Sequence, residues 1–169
     1  MFEIRLLTAK DAGALWTLRL EALASVPEAF GESAAEHRAT SVESIATRLA
    51  GGGADSFVVG AFDAAGLAGT AGYYRDTREK RRHKGHIWGM YVAPRLRGQG
   101  AGRALLLEAI RYANTSPGLR TILLSVSETQ PAARRLYERA GFVHYGTEPH
   151  ALRVGDRDLA EEFLVLTLY

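Results

Sequence analysis

The residues best suited to chemistry lie in one stretch, GHIWGMYVAPRLRGQGAGRALLLEAIRYA, at positions 85–113. At its centre Arg97, Gly98, Gln99, Gly100, Ala101, Gly102 and Arg103 form a short basic, glycine-rich loop. A β-favouring run at 86–92 precedes it, and an apolar-periodic helix set by Leu105, Leu106, Ala109, Ile110 and Ala113 follows. A strand that feeds such a loop into a helix N-terminus presents unpaired backbone N–H groups and the positive end of the helix dipole. That arrangement suits a diphosphate. Arg97 and Arg103 flank the loop and add full positive charge. Further on, Tyr137 stands in QPAARRLYERAGF, positions 130–142, on a short helix opened by Pro131 and stopped by Gly141. A phenol with a pKa of about 10 is protonated at neutral pH and can donate its proton.

The elements that must carry these residues follow from patterning. Phe2, Ile4 and Leu6 alternate with polar residues as an opening strand. Thr8 and Asp11 make a capping-box-like start for a helix with a stripe of Ala12, Leu15, Leu18, Ala22 and Leu23, broken at Pro27. Thr40 and Glu43 read as the cap of a second helix carrying Val42, Ile45, Ala46 and Leu49, ended by Gly51, Gly52 and Gly53. Strands at 56–62 and 67–74 flank a turn at 63–66, and a basic segment at 75–84 reads as the solvated loop of a second hairpin. After the glycine loop and its helix, 121–126 is a buried strand. Its crossover from 86–92 should make the two strands parallel neighbours. Runs at 142–147 and 162–168 read as two closing strands, joined through Val154, Gly155 and Asp156. No repeat or linker divides the chain, so 1–169 is expected to be one domain of mixed α/β class, its sheet mostly antiparallel.

Composition narrows the function. The chain has 169 residues, 47% hydrophobic and 24% charged, a formal net charge of +2 and no cysteine. Thiol catalysis, disulfides and cysteine-based zinc sites are therefore out. The small net charge argues against nucleic acid, and the basic segment lacks interleaved aromatics. No apolar run is long enough to span a bilayer, and the N-terminus lacks a signal-peptide core, so no membrane association and a cytoplasmic location are expected. His83, His144 and His150 have no metal-ligand spacing, so no metal is expected.

Val92-x-Pro94 followed by Arg97-x-x-Gly100-x-Gly102 resembles the first signature of the GNAT-type N-acetyltransferase superfamily. Ala133, Leu136, Tyr137, Gly141 and Phe142 resemble its second. The likeness extends to the order of elements along nearly the whole chain. It implies an α/β (α+β) fold: a single GNAT-like domain with a mixed, mostly antiparallel sheet flanked by helices and a central parallel pair joined by a β-α-β crossover. It also implies an enzyme that transfers an acetyl group directly from acetyl-CoA to a primary amine. By resemblance, backbone N–H groups of Arg97, Gly98, Gln99, Gly100, Ala101, Gly102 and Arg103 hold the pyrophosphate. Met90, Tyr91 and Val92 pair with the pantetheine arm, as a peptide adds to a sheet edge, and one N–H there stabilises the oxyanion. Ala133 belongs to the same cofactor-binding set, and Tyr137 protonates the departing thiolate. Gln130 stands where the family often has Asn, with the same amide on a longer arm.

The attacking amine must lose a proton. His86 shares a strand face with Trp88, Met90 and Val92 unless a bulge intervenes, and it holds the position of a catalytic carboxylate in some relatives. Glu128 is a second candidate base, and relay through water is a third route. In this fold the acceptor pocket is usually built by the first two helices and the last two strands, here around 19–32 and 147–162. Phe30 and Trp88 are candidate walls, and carboxylates in these regions, Glu148 and Glu161 among them, would favour a cationic amine. A small-molecule amine is the expected acceptor. A protein N-terminus or lysine, or a non-catalytic acyl-CoA-binding regulatory role, are the alternatives. Family members often dimerise, so a homodimer is allowed.

Overall fold

The apolar–polar alternation at the start of the chain forms β1 (Glu3–Leu6), at one edge of the sheet. The computed structural model describes residues 1–169. Asp11 closes the turn ahead of α1 (Ala12–Ser25), accepting the Thr8 N–H at 2.8 Å and a two-pronged contact from Arg5 at 2.9 and 2.8 Å. The buried face of α1 is Ala12, Leu15, Leu18, Ala22 and Leu23, the stripe expected from spacing.

Two features between α1 and the first hairpin differ from expectation. A short helix, α2 (Ala34–Arg38), lies there, and it takes the capping box: Ser33 and Glu36 exchange reciprocal bonds of 2.8 and 3.1 Å. The cap of α3 (Val42–Gly51) is Ser41, whose hydroxyl accepts the Ser44 N–H, rather than Thr40. Thr40 lies one residue too early, and its carbonyl accepts the Trp16 indole at 2.8 Å.

β2 (Ser56–Asp63), β3 (Gly66–Arg75) and β4 (Lys84–Val92) continue the sheet antiparallel. The chain then crosses through α4 (Ala101–Ala113) to β5 (Thr121–Ser127), the parallel neighbour of β4. It crosses again through α5 (Pro131–Arg139) to the hairpin of β6 (Val143–Val154) and β7 (Arg157–Thr167). The seven strands run β1-β2-β3-β4-β5-β7-β6, with β4–β5 the one parallel pair. The closing strands are much longer than the 142–147 and 162–168 expected. Both run on to the Gly155 turn, with an irregularity between Glu148 and Leu152. β6 is an edge strand and largely exposed, so it lacks the alternation that makes a half-buried strand readable.

The expected shared face of β4 is broken by a bulge. Trp88 pairs with Gly72 and Tyr91 with Thr70, so Gly89 and Met90 together oppose Ala71. Gly89 takes a φ of 62°, open to glycine at no steric cost. Trp88 therefore faces α1 and α3, with His86 on the same side of the strand, whereas Val92 turns to the opposite face, where it approaches Gly102 of α4.

Candidate active site

β4 and β5 pair over only three positions, Lys84–Thr121, Gly85–Ile122 and His86–Leu123. Beyond His86 the strands part, and the bulge that bends β4 leaves its β5-facing edge without a partner. A cavity of about 90 Å³ lies in the opening, walled by residues such as Ile87, Met90, Leu124 and Val126. It continues into a cavity of about 450 Å³, with which it shares Phe30, Met90, Gln130, Ala133 and Tyr137.

The larger cavity gathers Met90, Tyr91, Val92, Arg97, Gly98, Gly100, Ala101, Gly102, Arg103, Gln130, Ala133 and Tyr137. Of the residues assigned to the cofactor from sequence, Gln99 alone is missing from its walls; its amide donates to the Arg95 carbonyl at 3.1 Å. Gly98 and Gly100 adopt φ of 72° and 84°, which curl the loop so that α4 begins at the cavity wall. The Ala104 N–H makes the first helical bond, to the Gly100 carbonyl at 3.0 Å. The amides of Ala101, Gly102 and Arg103 thus lack partners within the helix and are available to an anion. Arg97 donates to the Val92 carbonyl at 2.9 Å and lies over the Tyr91 ring, tying loop to strand.

Tyr137 projects from α5 into both cavities and is 7% exposed. Burial pushes its phenol up to about 12. Its ring sits edge-on to Phe142 at 6.1 Å. The opposite wall is the turn after α1, with Val26, Ala29 and Phe30; all three lie in the 19–32 region expected to help build the acceptor pocket, although only Phe30 was singled out as a wall. Pro27 marked a helix stop there but carried no signal of which way the chain would turn. Phe30 is held by the Arg19 guanidinium, 4.7 Å above its ring and paired with Glu32 at 3.1 Å. Leu96, Ala132 and Leu136 complete the apolar lining.

His86 lines neither of these cavities. Its Nε2 meets Asp76 Oδ2 at 3.0 Å, and its ring stacks on Tyr74 at 4.6 Å. It borders a third cavity, of about 310 Å³, which shares Ile87, Trp88, Leu124 and Ser125 with the gap between the strands. Glu128 accepts the Ala160 N–H at 2.9 Å and is absent from all three linings. On β7, burial and the facing Glu148 raise the Glu161 carboxyl, an effect the Ser125 side chain opposes.

Residues 20–142 match the model of the acetyltransferase (GNAT) family. A mycothiol acetyltransferase of Acidothermus cellulolyticus is 41% identical over 64 residues, 38% of this chain and 19% of that protein. The chain thus spans well under two thirds of the curated relatives it matches. The GNAT-family acetyltransferase of Streptococcus pneumoniae superposes with a TM-score of 0.87 at 24% identity over 100% of both chains. A phosphinothricin acetyltransferase of Sinorhizobium meliloti, solved with AcCoA, superposes with a TM-score of 0.83 at 22% identity, over 99% of this chain and 88% of that one. These likenesses share the fold, and the family match covers most of the chain: it belongs to the acetyltransferase (GNAT) family.

Proposed function

We propose that this protein is an acetyl-CoA-dependent N-acetyltransferase acting on the primary amine of a small molecule. The observation that carries the reading is that a single cavity is bounded by the α4 N-terminus, the unpaired edge of β4 and the Tyr137 phenol. The amides of Gly98, Gly100, Ala101, Gly102 and Arg103 and the side chain of Arg103 hold the pyrophosphate, while the Arg97 N–H is taken by the Pro94 carbonyl at 3.2 Å. The edge formed by Met90, Tyr91 and Val92 holds the pantetheine amides, and an N–H there receives the charge that develops on the thioester carbonyl oxygen. Gln130 and Ala133 close the other side of the arm.

In the transfer, the amine nitrogen bonds to the carbonyl carbon as the carbon–sulfur bond breaks. Tyr137 supplies a proton to the departing sulfur. The proton lost by the nitrogen passes to His86, through water across the Trp88 and Ser125 boundary. Asp76 accepts from His86 Nε2 and so leaves Nδ1 as the basic nitrogen. Direct transfer requires no covalent enzyme intermediate.

Titration calorimetry with acetyl-CoA, followed by CoA release with a panel of amines, tests the reading. Binding with a dissociation constant in the micromolar range and amine-dependent CoA release are expected. Absence of binding would end the proposal. Binding without turnover on any amine or peptide would instead favour a non-catalytic acyl-CoA sensor. Turnover on peptides alone would favour a protein N-terminus or lysine as acceptor.

A further inference from the structure

The third cavity is distinctive in its walls. Alternation and register bring one row of side chains across the side of the sheet opposite α4: Tyr74 beside His86, Trp88, Ser125 beside Phe163, and Tyr145. Tyr74 and His86 stack at 4.6 Å and 13°, and Tyr145 leans on Phe163 at 6.1 Å. Two of these rings are open to solvent, Tyr74 at 44% and Tyr145 at 55% exposed. Large exposed rings bordering a concavity of about 310 Å³ form a surface that a small ligand would bury.

The charges around the cavity are as informative as the rings. Neither it nor the gap between β4 and β5 has a lysine or arginine in its walls. The neighbouring guanidinium groups, Arg48 at 5.9 Å from the centre of the Trp88 ring and Arg19 at 3.5 Å from where a Gly89 Cβ would stand, are not among the lining groups, so a carboxylate or phosphate on the acceptor would meet no direct ionic partner there. Acidic groups stand at the edges instead. Glu161 and its cross-strand neighbour Glu148 lie beside Ser125, and Asp76 lies behind His86. Asp76 is already engaged by His86 and by Arg81 at 3.3 Å, so the further ammonium groups of a polyamine would find no free carboxylate in the lining. One positive group at the Ser125 end and an uncharged planar remainder over the rings satisfy all of these features.

We infer that the acceptor is a primary amine borne on a flat apolar body that carries no acidic group, its ring lying on Tyr74, His86, Trp88, Tyr145 and Phe163 and its nitrogen directed past Ser125 toward the Tyr137 cavity. This rests on the acetyltransferase reading and assigns its substrate class. Phe163 and Tyr145 are specificity residues on this account, remote from the acetyl-CoA loop.

The test compares 2-phenylethylamine with phenylalanine, which differ by one carboxylate, and with spermidine, using steady-state CoA release by the whole protein. A kcat/KM for 2-phenylethylamine on the order of 100-fold above both others is expected. Tyr145→Ser, at an exposed position, is expected to raise KM for 2-phenylethylamine about tenfold while kcat and acetyl-CoA affinity hold. Phe163→Ala should act in the same direction, with circular dichroism confirming that it folds. Equal or better turnover of phenylalanine or spermidine, or an unchanged KM in Tyr145→Ser, would overturn the inference. So would acetyl-CoA binding with no turnover of 2-phenylethylamine, and that result leaves the acetyltransferase reading standing. Failure of acetyl-CoA to bind removes that reading and this one together.

Discussion

Tyr137 is held in the cleft by the turn that follows α5, where Gly141 at a φ of 97° lets the chain reverse and bring Phe142 back against the tyrosine ring. Burial raises the phenol to about 12, because the neutral form is favoured where water cannot solvate the anion. The raised value has a defined consequence: the proton stays on Tyr137 through pH 10, so a general acid at this position causes no alkaline loss of kcat below that pH. Tyr137→Phe keeps the ring and its packing and removes only the proton. It is expected to lower kcat about 100- to 1,000-fold and leave acetyl-CoA affinity nearly unchanged by calorimetry. A variant with wild-type kcat would strip Tyr137 of the acid role. Arg19 carries a desolvation cost nearby. Its Nη1 is buried without a hydrogen-bond partner, and burial lowers its pKa although Glu32 opposes the shift. Its contact with the Phe30 ring accounts for its place, since a cation over an aromatic face regains part of the lost solvation.

Among elements, β4 carries the most consequence, because one extra residue at its bulge decides which side chains share a face. After His86 the run to Val92 has no polar residue, so it carries no alternation that could locate a bulge, and Gly89 was the only sign of irregularity in it. Glycine within a strand is compatible with a bulge, with close backbone approach or with neither. Pairing against β3 resolves the choice. The entry to α1 offers a cleaner case of legibility, since Thr8 and Asp11 were readable as a cap. The hydrogen-bonded Arg5 guanidinium holds Asp11 down to about 2, with burial opposing it. A carboxyl whose folded pKa lies below its unfolded value of about 3.9 stabilises the fold above that value and ceases to do so as pH falls through the folded one. Asp11→Asn should therefore cost about 1 kcal/mol at pH 7 in urea melts. Its deficit should shrink between about pH 4 and pH 2. An equal deficit at pH 7 and pH 2.5 would show that capping geometry, not charge, holds the turn.

At the scale of the molecule, the site exists because two neighbouring parallel strands separate and two crossovers return on the same side of the sheet. α4 and α5 meet where Gly102 lies against Leu136; an added Cβ there would be 3.4 Å from the leucine. No helix is long and apolar enough to cross a membrane. A ligand spanning the α4 start, the β4 edge and α5 would add contacts to all three elements at once. Acetyl-CoA at one hundred times its dissociation constant should add about 2.7 kcal/mol of stability. For a chain of this size that is a rise of about 5–10 °C in Tm. A Tm that does not move with acetyl-CoA concentration would contradict binding at this cavity.

The sequence by itself determined the order and type of nearly every element, the glycine loop, the parallel crossover and the tyrosine helix. Each of these depends on local chemistry: Pro131 and Gly141 bound α5, Gly98 and Gly100 supply positive φ, and apolar spacing sets the buried faces. The tertiary structure decided the rest. It set the divergence of β4 and β5, the turn of Val92 away from His86, the reach of Phe30 over the cleft and the joining of Tyr74 to Tyr145 along one side of the sheet. These depend on register and on contacts between residues far apart in the chain, where a shift of one position exchanges the faces of a strand. Composition and periodicity do not encode that register; the packing of the whole sheet does.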